Sequence, residues 1–155
     1  MTKLSAGLLM YRRNRGLELF LVHPGGPFFR NKDEGAWSIP KGEVEEGAEP
    51  LASALREFAE ETGSPPPAGA LVPLGEIRQK GGKRVVAWAV EGDLDLSSVK
   101  SNTFELEWPP RSGRRETFPE IDRAEFFPPE LARRKINPAQ AELVERLERK
   151  LQAGE

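Results

Sequence analysis

The chain contains no cysteine and only one histidine, His23, among its 155 residues. The absence of cysteine excludes disulfides and thiolate chemistry, and it is compatible with a reducing cytoplasm, where we expect the protein to act. A single histidine argues against a histidine-rich zinc site or a Ser-His-Asp hydrolase, although one histidine alone can still serve a triad. We interpret His23 instead as the last residue of a strand, held there by a hydrogen bond.

Long apolar runs and a strong net charge are also missing. No apolar stretch approaches the roughly 20 residues of a membrane span, and a strand-like run follows Met1-Thr2-Lys3-Leu4 directly, so we expect no signal peptide. The net charge of −2 gives no reason to expect nucleic acid or a membrane as a partner. A chain of 155 residues without internal repeats predicts a single domain over residues 1–155.

One helix, Pro50–Thr62, is predicted from its ends and its periodicity. Its opening proline suits the first helical position, and Gly63 suits the C-terminal stop. Three carboxylates, Glu57, Glu60 and Glu61, lie three and four residues apart and therefore project together. They border the apolar stripe of the helix, which consists of Leu51, Leu55, Phe58 and Thr62, with Ala54 beside it.

This carboxylate cluster is unfavourable for a helix by itself. Like charges at this spacing destabilise a helix by about 0.2–0.5 kcal/mol, and the last turns of a helix favour cations. A divalent cation removes both objections, and Mg²⁺ prefers hard oxygen ligands. The alternative is a solvated acidic face in which Arg56 pairs with Glu60. The metal interpretation is favoured by the glycines around the cluster, because Gly42 precedes Arg56 by fourteen residues and Gly63 follows Glu61 by two.

The framework resembles the Nudix box, Gly-x5-Glu-x7-Arg-Glu-U-x-Glu-Glu-x-Gly-U, in which U is a bulky aliphatic residue. The matching positions are Gly42, Arg56, Glu57, Phe58, Glu60, Glu61 and Gly63. Two positions depart from the pattern. The first glutamate of the box falls on Ala48, with Glu49 one place late, and the final aliphatic residue falls on Ser64.

The resemblance implies roles for residues of the box. It implies Mg²⁺, with Mn²⁺ as an alternative, held by the Gly42 carbonyl and by catalytic glutamates, namely Glu57, Glu60 and Glu61. It also implies that Lys41 lies near substrate phosphates and that Arg56 orients a carboxylate through a salt bridge. Since the missing glutamate normally supports the loop and the arginine, Ala48 bears on loop rigidity more than on catalysis.

Two loops supply further candidates. In residues 24–36, Phe28 and Phe29 either stack on a nucleobase or anchor the loop, and the sequence leaves both open. Residues 109–120 contain three arginines that suit substrate phosphates or a solubilising surface, namely Arg111, Arg114 and Arg115. Glu116 and Glu120 follow them. Several Nudix families draw an extra ligand or the general base from this region, so the base is one of these two or a box glutamate.

The order of predicted elements indicates an α/β (α+β) fold. Strands are predicted at residues 5–12, 17–23, 71–79, 84–91, 103–108 and 121–127, and helices at 50–62 and 139–152, with one or two turns in 129–135. The strand at 84–91 is apolar on both faces, which favours a central position. A mixed central sheet between helices is expected, and this arrangement resembles the α/β/α sandwich of the Nudix fold.

The resemblance and the carboxylates together predict a function. We expect a Mg²⁺-dependent pyrophosphohydrolase that cleaves a nucleoside diphosphate linked to another group, by water attack at phosphorus. The substrate is a small-molecule nucleotide, and the aromatic and arginine content of the two loops mildly favours a dinucleoside polyphosphate. The alternative is a non-catalytic nucleotide-binding Nudix module that acts as a sensor or partner. Ala48 and Ser64 favour the alternative, whereas the three helix carboxylates oppose it. The sequence does not specify the oligomeric state.

Overall fold

The structure is a computed structural model that describes residues 3–154. A six-stranded mixed sheet is flanked by helices, and two further strands form a separate two-stranded ribbon. The strands are β1 (Leu4–Arg13), β2 (Leu17–Pro24), β3 (Lys41–Glu43), β4 (Leu71–Arg78), β5 (Arg84–Glu91), β6 (Thr103–Glu107), β7 (Arg115–Pro119) and β8 (Ile121–Phe127). The helices are α1 (Pro50–Thr62), α2 (Pro129–Lys135) and α3 (Ala141–Gln152). None of the helices within residues 3–154 is long and apolar enough to cross a membrane.

The sheet runs in the order β4-β5-β1-β2-β8. Strand β1 pairs in parallel with β5 along one edge. Along its other edge it pairs antiparallel with β3 at one end and with β2 at the other. The predicted central position of β5 is confirmed, because β5 lies between β1 and β4.

Two hydrophobic cores lie on opposite faces of the sheet. The first, which includes Trp37, Leu143 and Leu147, fills the space between the sheet and the C-terminal helices. The second lies under α1, where the rings of Phe20 and Phe58 are 6.1 Å apart between centroids. Strand β5 contributes alternate residues to both cores, as its two apolar faces predict. The predicted α/β/α sandwich with a mixed sheet is therefore confirmed.

Helix α1 begins and ends as predicted. Gly63 follows it with a φ of 75°, and its N–H donates to the carbonyl of Ala59. The predicted buried stripe is partly wrong, since Leu51 and Leu55 are only half-buried. The residues that α1 buries completely are Ser53, Ala54, Phe58 and Thr62. Small residues at the start of this face allow the helix to lie close to β1, and the two leucines flank the contact.

Two short strands differ from the sequence-based expectation. Residues 109–120 were expected to form a loop, but Arg115–Pro119 is strand β7, which pairs antiparallel with β6. Its side chains are mostly exposed, and its apolar contact across the ribbon is that of Phe118 with Phe104, so its sequence shows no apolar alternation. Strand β3 has only three residues, and its pairing with β1 decides its conformation.

The C-terminal helix starts later than expected. Pro138–Gln140 forms a 3₁₀ turn, and α3 begins at Ala141. Asn137 caps the turn as predicted, because its side-chain oxygen accepts a hydrogen bond from the Ala139 N–H at 2.9 Å.

Candidate active site

The carboxyl group of Glu57 lies directly against the backbone of Gly42. A Cβ atom at position 42 would lie less than 3.0 Å from the carboxyl carbon and both carboxyl oxygens of Glu57. No side chain other than hydrogen fits at this position without displacing the glutamate. The glycine that opens the box is therefore explained by the glutamate that it accommodates.

The neighbouring Glu61 is the most strongly perturbed carboxyl group. Burial, and secondarily the charge of Glu57, raise the pKa of Glu61 to about 8, although the backbone N–H of Lys41 opposes this by donating a hydrogen bond to it. Burial, followed by the charge of Glu60, also raises the pKa of Glu57. The charge of Glu120 acts on both Glu57 and Glu61 in the same direction. Burial and mutual repulsion thus both disfavour the ionised form of these carboxyl groups.

Two cations border the cluster. Arg56 places Nη2 at 3.3 Å from Oε1 of Glu57. The observed ion pair of Arg56 is thus with Glu57, where the solvated-face interpretation paired it with Glu60. Burial lowers the pKa of Lys41, and the charge of Glu61 partly offsets this effect. Lys41 therefore presents a partly desolvated ammonium group beside the carboxylates.

The donor set fits a hard divalent cation. Glu57, Glu60 and Glu61 offer carboxylate oxygens on one helix, and burial, followed by repulsion between neighbouring carboxylates, raises the pKa of Glu57 and Glu61. Within residues 3–154, no three acidic or histidine side chains already converge closely enough to hold a metal ion. Glutamate side chains have three rotatable bonds, so rotation about them is the adjustment that coordination requires.

A cleft of about 260 Å³ opens beside this cluster. Its charged lining residues are Lys41, Glu61 and Glu120, and its polar uncharged ones are Ser38, Gln79, Asn137 and Gln140. Phe29 also lines it. A larger groove, of about 450 Å³, lies between the β1–β2 turn and α3, but it has no cluster of carboxylates. The chemistry-bearing residues therefore indicate the smaller cleft as the site.

Each of the two loops supplied a pair of candidates, and in each pair only one residue lines the cleft among residues 3–154. Phe29 lines the cleft and is 36% exposed, whereas Phe28 is 59% exposed and packs edge-on against Trp108, with 5.5 Å between ring centroids. Glu120 lines the cleft, whereas Glu116 lies on the exposed ribbon opposite Leu106.

The three predicted arginines lie in or beside the turn of the β6–β7 ribbon, outside the lining of the cleft. Arg115 pairs with Glu105 across the ribbon, with Nε at 3.0 Å from Oε1. Arg111 and Arg114 are exposed in the turn. Phosphate binding by these arginines stays a prediction.

The single histidine is buried and held in place by hydrogen bonds. His23 is completely buried, with Nδ1 at 2.7 Å from Oδ1 of Asp122 and Nε2 at 2.7 Å from the carbonyl oxygen of Lys32. Its ring also lies edge-on to Trp37. The predicted hydrogen-bonded residue at a strand end is confirmed, and it connects β2 to the following loop and to β8.

Sequence reasoning did not identify the amides of the cleft. Gln140 was included in a packing helix, Gln79 ended a strand, and Asn137 was interpreted only as a cap. One signal was available, because Gln140, Val144 and Leu147 recur at helical spacing and all three are buried. A glutamine within an apolar stripe indicates a buried hydrogen-bonding role.

The fold and the site together define a class of protein: an α/β/α sandwich in which one glutamate-rich helix borders a polar cleft. A sequence model of the NUDIX domain matches residues 1–147, and the chain therefore belongs to the NUDIX domain family, as a Nudix-type hydrolase. A search of curated proteins gave no match.

Solved structures share the fold. An Ap4A hydrolase from C. elegans in a binary complex is 19% identical, with a TM-score of 0.68, over 96% of this chain and 98% of that one. The NUDIX domain of Shewanella oneidensis NrtR complexed with ADP ribose is 16% identical, with a TM-score of 0.66, over 97% and 89% of the two chains. A MutT protein from Methanosarcina mazei is 19% identical, with a TM-score of 0.61, over 96% and 94%. At these identities the likeness shows the fold alone.

Proposed function

We propose that this chain, as a single domain over residues 1–155, is a Mg²⁺-dependent pyrophosphohydrolase. Its substrate is a nucleoside diphosphate linked to another group, and water attacks at phosphorus. The observation that carries the proposal is the partly buried carboxylate cluster beside the cleft, in which the pKa of Glu61 is raised to about 8. Perturbed carboxyl groups in a cleft are typical of functional sites, and a protein that only binds nucleotides gains nothing from such repulsion.

The cation would be held by the Gly42 carbonyl and by carboxylates of α1, namely Glu57, Glu60 and Glu61. Family membership supports a divalent cation, and Mg²⁺, with Mn²⁺ as a substitute, fits an all-oxygen donor set. When bound, the cation supplies Lewis-acid chemistry, because it neutralises diphosphate charge and lowers the pKa of water at the site.

The chain's own residues perform the other tasks. Lys41 binds a phosphate oxygen from the lining of the cleft, where its ammonium group is already partly desolvated. Arg56 holds the carboxyl group of Glu57 in place through their ion pair. Glu120 accepts the proton of the attacking water, and its place in the cleft favours it over Glu116 on the ribbon.

The nucleoside part of the substrate lies against Phe29, whose ring lines the cleft and offers a stacking surface. The neighbours named for Ap4A and ADP ribose support a nucleotide derivative with a diphosphate. A dinucleoside polyphosphate is one member of this class. Arg111 and Arg114, on the exposed turn, are candidates for contacts with phosphates that extend beyond the cleft.

The test is hydrolysis of a panel of nucleotide diphosphate compounds with Mg²⁺, by wild type and Glu60→Gln. Products are identified by chromatography. We expect one compound class to be cleaved. We also expect Glu60→Gln to lose at least about 10–100-fold in activity, because removing a group that supports a bound metal commonly lowers activity by that factor. Glu145→Gln, the same change on the exposed side of α3, is the control and keeps full activity.

Two outcomes would contradict the proposal. Undiminished activity of Glu60→Gln would remove the metal mechanism. No hydrolysis across the panel, with Mg²⁺ binding intact in calorimetry, would favour a nucleotide-binding module that acts as a sensor or partner.

A further inference from the structure

The uncharged polar residues of the cleft form a connected group, which we call the amide cluster: Gln79, Asn137 and Gln140. The Nε2 of Gln140 lies 3.1 Å from Oε1 of Gln79, and the Gln140 N–H donates to the carbonyl of Asn137 at 2.7 Å. All three residues line the cleft together with Phe29. The charged lining residues are confined to Lys41, Glu61 and Glu120 among residues 3–154.

The orientation of the Gln140 amide follows from its backbone partner. The N–H of Ile39 can only donate, and it lies 3.1 Å from Oε1 of Gln140. The other atom of the amide is therefore the NH₂ group, which donates to Gln79 and to the hydroxyl of Ser38, both at 3.1 Å. Gln140 is only 1% exposed, so both of its ends are occupied by protein and its orientation is settled.

The orientation of the Gln140 amide in turn determines which end of the Gln79 amide is left without a protein partner. Its oxygen accepts the hydrogen bond from Gln140, so its NH₂ group is the end that remains. Within residues 3–154, no protein acceptor bonds to that NH₂ group, and the residue lines the cleft. Gln79 therefore offers the cleft a hydrogen-bond donor.

Asn137 also has its side-chain oxygen bound within the protein and its NH₂ group left over, for an independent reason. Its oxygen caps the following turn by accepting from the Ala139 N–H at 2.9 Å. Its NH₂ group also has no acceptor in the part of the chain that the structure describes, and Asn137 lines the same cleft. The amide cluster thus presents two donors, while each of its side-chain oxygens already accepts a hydrogen bond inside the protein.

Nucleobases differ in how they match two donors. Guanine presents two neighbouring acceptors, N7 and O6, whereas adenine presents the acceptor N7 beside an amino group that donates. The adenine amino group would face an NH₂ group without an acceptor, and unmatched buried polar groups are costly. Phe29 supplies a face for either base.

We propose that the amide cluster selects the base of the substrate, and that it binds 6-oxopurines, such as guanine and hypoxanthine, in preference to adenine. This inference rests on the proposed function, since it places a nucleotide in the cleft. The NH₂ groups of Gln79 and Asn137 are the donors, and Gln140 is a positioning residue that orients Gln79.

The test compares binding of GDP, IDP and ADP by isothermal titration calorimetry in the presence of Mg²⁺. We expect GDP and IDP to bind at least about tenfold more tightly than ADP, because one matched pair of hydrogen bonds discriminates between bases by about this factor. The informative variant is Asn137→Asp, because aspartate retains the cap and replaces the NH₂ donor with an acceptor. We expect the ratio of GDP to ADP affinity to fall about tenfold.

The affinity ratio separates recognition from charge. The added negative charge weakens both nucleotides alike, so only a change in hydrogen bonding alters their ratio. Asn14→Asp, in the turn between β1 and β2, adds the same charge outside the cleft and leaves the ratio unchanged.

Several results would overturn the inference. They are ADP binding as tightly as GDP, an unchanged ratio in Asn137→Asp, and no binding of any of the three nucleotides. Hydrolysis tests the proposed catalysis and not the selection of the base. If the GDP preference and its loss in Asn137→Asp are found but no compound of the panel is cleaved, the base selection stands and the proposed catalysis fails.

Discussion

The contact between Gly42 and Glu57 allows a test of the site with a single methyl group. In Gly42→Ala the new Cβ would lie less than 3.0 Å from the carboxyl carbon and both carboxyl oxygens of Glu57. Carbon atoms in contact lie about 3.5–4.0 Å apart. The carboxyl group must therefore move by on the order of 1 Å, and it cannot keep both its place beside β3 and its pairing with Arg56.

This displacement should affect function far more than stability. The glutamate is a flexible side chain at the edge of the cleft, so overpacking should cost about 1–3 kcal/mol in the free energy of unfolding. A misplacement of about 1 Å in a catalytic group can cost roughly 100-fold in rate. We therefore expect Gly42→Ala to remain folded and to lose about 100-fold in hydrolysis, together with a weakened affinity for Mg²⁺.

Three measurements check this prediction: Mg²⁺ titration calorimetry, hydrolysis of the compound that wild type cleaves, and thermal unfolding. Gly47→Ala is the control, because it makes the same change in the loop that follows β3, where Gly47 has a φ of 81° and no atom lies within 4 Å of an added Cβ. It should lose about 1 kcal/mol of stability from backbone strain and keep its activity. Wild-type affinity and activity in Gly42→Ala would refute the assignment of Glu57 as a ligand held against Gly42.

Two further predictions concern the helix that carries the site. In metal-free protein, Glu61→Gln should unfold at a higher temperature than wild type at pH 8.5, and the difference should shrink as the pH falls toward 5. The reason is that folding raises the pKa of Glu61 from 4.5 to about 8, so the ionised carboxylate opposes folding increasingly between these values, by on the order of 4 kcal/mol. A difference that does not depend on pH would contradict this cause. Phe58→Ala should cost about 3–5 kcal/mol in urea unfolding, because the ring is fully buried against Phe20; a cost below about 1 kcal/mol would show that the core under α1 is not packed as described.

Most of the regular elements could be predicted because their signals are local. Helix α1 begins at a proline and ends before Gly63, and both signals act within one turn of the helix. Strands β5 and β8 have the predicted bounds, because breaks or charged residues flank their apolar patterns. The glutamates of α1 were placed together correctly, since positions three and four apart on a helix must face the same side.

Strands β3 and β7 could not be predicted in the same way. Three residues carry no periodicity, so β3 exists because β1 offers it an unpaired edge. Strand β7 is mostly exposed, and its partner β6 determines its conformation. The choice between Glu116 and Glu120 depended on this ribbon, because strand pairing carries one carboxylate outward while the other remains at the cleft.

The sequence by itself determined the helix with its three carboxylates and the family to which the chain belongs, because both depend on residues close together along the chain. The tertiary structure alone decided the composition of the cleft. Gln79 and Gln140 are 61 residues apart, and Ser38 and Gln140 are 102 apart, yet they share hydrogen bonds. Such contacts depend on how the sheet and the C-terminal helix pack, and no local pattern encodes that packing. The same packing determines which end of each amide remains available in the cleft, because the other end is already hydrogen-bonded within the protein.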